Sequence, residues 1–347
     1  MKLNKNIQME WRMKKRLLFL FVLFFVTAPL QGIADDQPYL SIRGAVKYPL
    51  NLSLDDLEKY QSIRVQLSEI MKDGQYNGVF YYRGVPLRII LESASIEKKE
   101  SAFTKRTDLA VVVRNSKGRQ ATLSWGEIFY GNPGHYILAT SAVPIMPHRD
   151  CGSCHEPDEY RPRLNRLHRK IDFPKLVIAG DVYSDRSIDG ITDIQVMDLR
   201  PQAESKKGEA LFSPELNIKG ETGAPLTLRE LSSFPRESAI FRHVGEGRGF
   251  HGINKIEGAS LKSVLEKSGI EADLNQVCLV SAPDGYRSLF SYGEIFLDPA
   301  GERVMIVDKI DGQPVEEGGK FRVIPPDDTM ADRTVKAVQE IEVIRVQ

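Results

Sequence analysis

The chain has 347 residues, 47 Lys+Arg balanced by 47 Asp+Glu, 41% hydrophobic residues and three cysteines. That length predicts about two domains of roughly 100–200 residues each, and the hydrophobic share excludes wholesale disorder. Zero net charge argues against a general nucleic-acid binder, which needs a basic excess, and three cysteines cannot form a disulfide framework, so any core is built by packing.

The first predicted element is an export signal over residues 1–34. Lys14, Lys15 and Arg16 are followed by ten unbroken apolar residues, 17–26. Pro29 ends the run, and Gly32-Ile33-Ala34 places small residues three and one positions before a cut. This three-part layout is that of a secretory signal peptide. Ten residues of helix rise about 15 Å, roughly half a bilayer core, although retention as an amino-terminal anchor stays open. Removing Lys2, Lys5, Arg12, Lys14, Lys15, Arg16 and Glu10 leaves 41 basic against 46 acidic residues, a net of about −5. No later stretch approaches a membrane span. A periplasmic location is expected, with no stable membrane insertion after cleavage, and that compartment is oxidising.

The remainder reads as one unit written twice. Leu40-Ser-Ile-Arg-Gly44 is echoed by Leu216-Asn-Ile-Lys-Gly220, and Pro49-Leu-Asn-Leu by Pro225-Leu-Thr-Leu. Residues 78–96 match 252–270, and Trp125-Gly-Glu-Ile-Phe129 matches Tyr292-Gly-Glu-Ile-Phe296. Residues 186–196 match 333–343. The offset falls from 176 through 174 and 167 to 147, so the first copy holds about 20 extra residues between Gly134 and Arg186.

Within the unit, Leu40–Gly44 alternates as a half-buried strand does. Ser53 caps a short helix, and residues 85–93 have helical apolar spacing. Residues 109–113 and 277–280 are continuous apolar runs, hence buried strands, and Cys278 within the second is expected to be a core thiol. Asn115-Ser-Lys-Gly118 and Pro283-Asp-Gly285 signal hairpin turns. Each copy is expected to end in a strand. The predicted division is a first domain over 35–200 with an insertion at about 140–173, a linker at 201–213, and a second domain over 214–347.

The insertion contains Cys151-Gly-Ser-Cys154-His155. Cys-x-x-Cys-His is the covalent attachment motif for c-type haem. Two thiols three apart reach both vinyl groups of one porphyrin, and the adjacent imidazole then lies beneath the iron. His155 is thus the expected proximal ligand. Met146 or His168 suits the sixth position better than His148, which is close to His155 in sequence, and His135 stays open. A disulfide, half of a zinc site with His155 and His148 or His168, and chance spacing are the other readings. Arg149, Arg161, Arg163, Arg166, Arg169 and Lys170 make the insertion basic. They could pair haem propionates, steer an acidic redox partner or form a solvated face.

The repeated unit resembles the molybdopterin-binding domain of the sulfite oxidase family. The resemblance rests on the opening strand with Gly and Pro-Leu-x-Leu, on Gly84-Val-Pro-Leu87 to Leu91, and on the segment from His243 to Gly252 just ahead of Gly258. It implies an α+β fold with mixed β-sheets, in tandem duplicated domains. The family's molybdenum is held by a cysteine thiolate. The matching residue is His243 in the second copy and lies near Glu69 in the first, so neither copy has that ligand. An imidazole is no substitute for a soft anionic donor. Arg242, His243, Gly245, Gly247, Arg248 and His251 could still hold an anion, or molybdopterin without thiolate ligation; a turn with its basic groups in water is the alternative. No phosphate-binding loop or Gly-x-Ser-x-Gly elbow occurs. The expected function is that of a periplasmic redox protein with one covalent haem and a redox partner protein. The alternatives are a molybdopterin oxidoreductase and a non-catalytic anion-binding module stapled by zinc or a disulfide.

Overall fold

Alternation of Leu40 and Ile42 with Ser41 and Arg43 buries one face of the first strand, β1 (Leu40–Gly44), against the core. A computed structural model of the chain describes residues 40–145, 169–201, 211–221, 224–245, 249–271, 273–315 and 317–347, with Pro162 and Asn165 besides. Residues 1–34, where an export signal is expected, and the Cys-x-x-Cys-His segment lie outside the described residues.

β2 (Leu50–Leu52) leads into helix α1 (Leu54–Glu58), which starts at Ser53 because that hydroxyl accepts from the Asp56 amide while the Asp56 carboxylate accepts from the Ser53 amide. A long hairpin, β3 (Ile63–Ile70) and β4 (Tyr76–Pro86), follows. Helix α2 runs Leu87–Ala94, not 85–93 as the spacing predicts. Val85 and Pro86 still belong to β4, and Pro86, held at φ −54° and ψ 128°, keeps the entry extended. The half is completed by β5 (Leu109–Asn115), β6 (Gln120–Ser124), α3 (Trp125–Tyr130), β7 (Tyr136–Pro144), β8 (Lys175–Ile178) and β9 (Ile191–Asp198).

The second half contains β10 (Leu216–Lys219), β11 (Leu226–Leu228), β12 (Glu237–Gly245), β13 (Gly249–Ser260) and α4 (Leu261–Ser268). β14 (Gln276–Ser281), β15 (Arg287–Ser291) and α5 (Tyr292–Leu297) follow. It ends with β16 (Met305–Ile310), β17 (Gln313–Pro314), β18 (Arg322–Ile324) and β19 (Glu340–Arg345). One sheet has the order β2-β1-β9-β5-β6 and another β11-β10-β19-β14-β15. In each, the opening and closing strands pair in parallel and the other pairings are antiparallel. The other two sheets are β3-β4-β7-β8 and β12-β13-β16-β17, with β18 also on β16. The fold is therefore α+β with mixed sheets and short helices. The echoed sequence blocks fall on β1 and β10, on α3 and α5, and on β9 and β19.

Each half has its own apolar core, and a third cluster joins Ala110 and Val112 of β5 to Val277, Leu279 and Leu289 of the second half. Around this cluster, Thr107 Oγ1 donates to the Arg287 carbonyl at 2.8 Å, and Arg287 Nε pairs with buried Asp108 at 2.8 Å. Residues Tyr39–Gln347 form a single compact unit. Among the described residues, no helix is long and apolar enough to cross a membrane.

Candidate functional site

The hairpins β3–β4 and β12–β13 share a register. Glu69 lies opposite Gly78 and His243 opposite Gly252, each just before a bulge. Gly84 pairs with Ala139, which pairs with Lys175; Gly258 pairs with Val307, which pairs with Arg322. Lys175 and Arg322 therefore occupy corresponding positions. So do Asp189 and Lys336, each three residues beyond a buried arginine, Arg186 or Arg333.

In the first half this place is closed. Glu69 is 3% exposed and accepts from Tyr82 Oη. It pairs with Arg169 and, at 3.1 Å, with Lys175 Nζ. Arg169 Nη1 reaches Asp189 at 3.0 Å, and Lys175 also bonds Asp189. Two carboxylates meet two cations, and the rings of Phe80 and Tyr82 fill the space. Arg169 belongs to the insertion, and Ile171 and Phe173 pack on the same sheet cluster. The returning stem of the excursion between β7 and β8 is thus clamped by charge and apolar contact together.

In the second half the corresponding place is a cavity of about 350 Å³. Asn254 and Ile256 stand where the hairpin register puts Phe80 and Tyr82, and these smaller side chains leave the space. Its cationic side is Arg322 and Lys336, with His243 beside them. Burial pushes the His243 imidazole below its ordinary value, and His251, Lys336 and Arg322 add to the shift. Its ring stacks on Phe241 at 5.3 Å and lies 4.9 Å from His251. Arg322 Nη2 donates to the Glu317 carbonyl at 3.3 Å and to its carboxylate at 3.4 Å. Among the described residues, Arg322 Nε and Thr334 Oγ1 are buried without a hydrogen-bond partner, and both residues line the cavity. Such orphans cost free energy unless something pairs with them.

The predicted site residues separate here. His243 lines the cavity, and Gly245 sits near His251. Arg242 is exposed and does not line it, because successive strand residues point to opposite faces. The expectation that Arg242 and His243 act together is corrected on that ground. Gly247 and Arg248 lie outside the described residues, as do Cys151, Cys154, His155, Met146, His148 and His168. His135 lines a second cavity, about 400 Å³, whose walls include Glu294, Asp298, Asp328 and Arg333. Reading the sequence missed Arg322, Thr334 and Lys336. The signal was present in the last echoed block, where Asp189 stands opposite Lys336.

A thiolate-held molybdenum centre does not fit this donor set. The position ahead of Gly258 carries an imidazole in place of a thiolate, and no cysteine lines the cavity among the described residues. Cys278 is sealed in the second-half core, and burial pushes its thiol well up. The arrangement suits an anion.

The chain matches no protein-family model and no curated protein. Among solved structures it is similar to the sulfane dehydrogenase SoxCD from Paracoccus pantotrophus, at 13% identity and a TM-score of 0.32, over 89% of this chain and 78% of that one.

Proposed function

We propose that this chain is an exported redox protein of the periplasm. Two sulfite-oxidase-like halves, tandem copies of one unit, form its scaffold, and the excursion between β7 and β8 carries one c-type haem. The observation that carries this reading is Cys151-Gly-Ser-Cys154-His155. It stands in a connection of 30 residues (145–174), where β16 and β18 are joined by 11 (311–321). Cys151 and Cys154 would tether the haem and His155 would ligate its iron, with Met146 or His168 as the candidate second ligand. The haem, when attached, supplies one-electron transfer, and the protein supplies position and potential. Arg169, Ile171 and Phe173 fix the excursion's return to a rigid sheet. The remaining basic residues of the insertion would steer an acidic redox partner by charge.

The test is an absorption spectrum of the protein exported alongside haem-attachment machinery, with metals measured on the same sample. A Soret band that survives denaturation, and is lost in Cys151→Ala and Cys154→Ala, is expected. Zinc without a Soret band would move the assignment to a zinc-stapled binding module, and neither metal nor haem to a disulfide-stapled one. Molybdenum with pterin would indicate a molybdopterin oxidoreductase.

A further inference from the structure

We propose that the second-half cavity binds a small phosphomonoester, its doubly charged head on Arg322 and Lys336 and its organic part against Phe241 and Tyr286. The reason is a difference between corresponding places in one chain. In the first half, Glu69 and Asp189 balance Lys175 and Arg169, and aromatic rings fill the volume. In the second, His243 and Lys336 replace the two carboxylates, Arg322 replaces Lys175, and the volume is open. Two cations are left without the carboxylates that neutralise the first-half site. The acids that do approach are weak substitutes. Glu317 is 80% exposed and 3.9 Å from Lys336 Nζ, and Asp284, at the cavity's rim, is exposed and accepts from the Tyr286 amide.

Arg322 Nε and Thr334 Oγ1 are buried without a hydrogen-bond partner, so the two side chains are not fully satisfied by protein contacts at the cavity wall they form. A planar guanidinium, an ammonium and a hydroxyl suit a tetrahedral dianion. A cavity of about 350 Å³ lies at the small end of the roughly 300–1,000 Å³ range of ligand pockets. Its Phe241, Tyr286 and Ile310 wall gives a carbon skeleton apolar surface that a bare ion would not use.

The test is calorimetric titration of the full-length exported chain with phenyl phosphate, inorganic phosphate and sulfate. Phenyl phosphate is expected to bind about tenfold or more tightly than either inorganic ion, from burial of its ring. Lys336→Asp, which places at 336 the residue found at 189, and Arg322→Gln should each weaken binding about tenfold or more. Lys47→Glu, on the exposed surface of the first half, should leave it unchanged. Lys336 is exposed, so its variant keeps the test decisive should Arg322→Gln fail to fold. Absence of binding at millimolar phenyl phosphate, binding that survives Lys336→Asp, or equal affinity for phenyl and inorganic phosphate would overturn the proposal. The site is read independently of haem content, so either outcome leaves the redox reading standing.

Discussion

Gly126 and Gly293 stand where one added methyl group would collide with a buried guanidinium. A Cβ at Gly126 meets the Arg333 side chain, and one at Gly293 meets Arg186. Neither arginine can swing away, because each is held from both sides. Arg186 bonds Asp181 at 2.7 Å and Glu127 at 2.8 Å; Arg333 bonds Asp328 at 2.6 Å and Glu294 at 2.7 Å. Gly126→Ala or Gly293→Ala should therefore cost about 2–3 kcal/mol, the upper range for overpacking, read as a lowered denaturant midpoint at unchanged slope. The Trp/Tyr-Gly-Glu-Ile-Phe repetition marks both glycines as structural in the sequence. Their arginine partners were not legible, because Gly126 and Arg333 lie 207 positions apart in the sequence and Gly293 and Arg186 lie 107 apart. No local pattern records which distant side chain passes over a glycine.

The short helices α3 and α5 meet at their first turns across the seam between the halves. Ser124 caps α3 and its hydroxyl donates to Glu294 at 2.8 Å, while Ser291 caps α5 and donates to Glu127 at 2.7 Å. Arg333 and Arg186 face the same groups, with Asp328, Asp181 and Asp298 close by. Acids outnumber bases in this buried place, so a proton is retained. Burial pushes the Glu294 carboxyl up to about 7 and Asp181 up to about 6, against the pull of their arginines. A carboxyl whose pKa is higher folded than unfolded binds its proton more tightly in the native state. Its contribution is complete below its unfolded value of about 4.5 and is lost as pH rises through about 7. The melting temperature should thus fall between pH 5 and pH 8, and Glu294→Gln should flatten that slope; an unchanged slope would remove Glu294 as its source. At this scale the sequence carried helix caps and turns, since Ser-x-x-Glu and Pro-Asp-Gly act locally. The long strands β12 and β13 were not evident, because their polar, partly exposed residues obey no clean alternation, whereas Ile63, Val65 and Leu67 of β3 do alternate with polar residues and carried a signal that went unread. The cavity between β12–β13 and β18 depends on those strands' register and stayed hidden with them.

Across the whole molecule several of the contacts between halves come in reciprocal pairs. The Val182 amide donates to the Leu297 carbonyl at 2.9 Å, and the Thr329 amide donates to the Tyr130 carbonyl at 3.0 Å. Ala110 and Val112 of one half face Val277 and Leu279 of the other, at corresponding positions of β5 and β14. A surface that matches a near-copy of itself through reciprocal pairs has the form of an isologous contact, the kind that closes a two-fold dimer. A chain cut to either half alone should for that reason self-associate into symmetric dimers in sedimentation experiments. Val112→Lys should return the first half to monomers by placing a charge in the apolar seam. In the intact chain the same face is already occupied, so tethering replaces assembly. What would otherwise depend on protein concentration becomes a fixed property of each molecule, and the cavity of the second half is held beside its companion at any dilution.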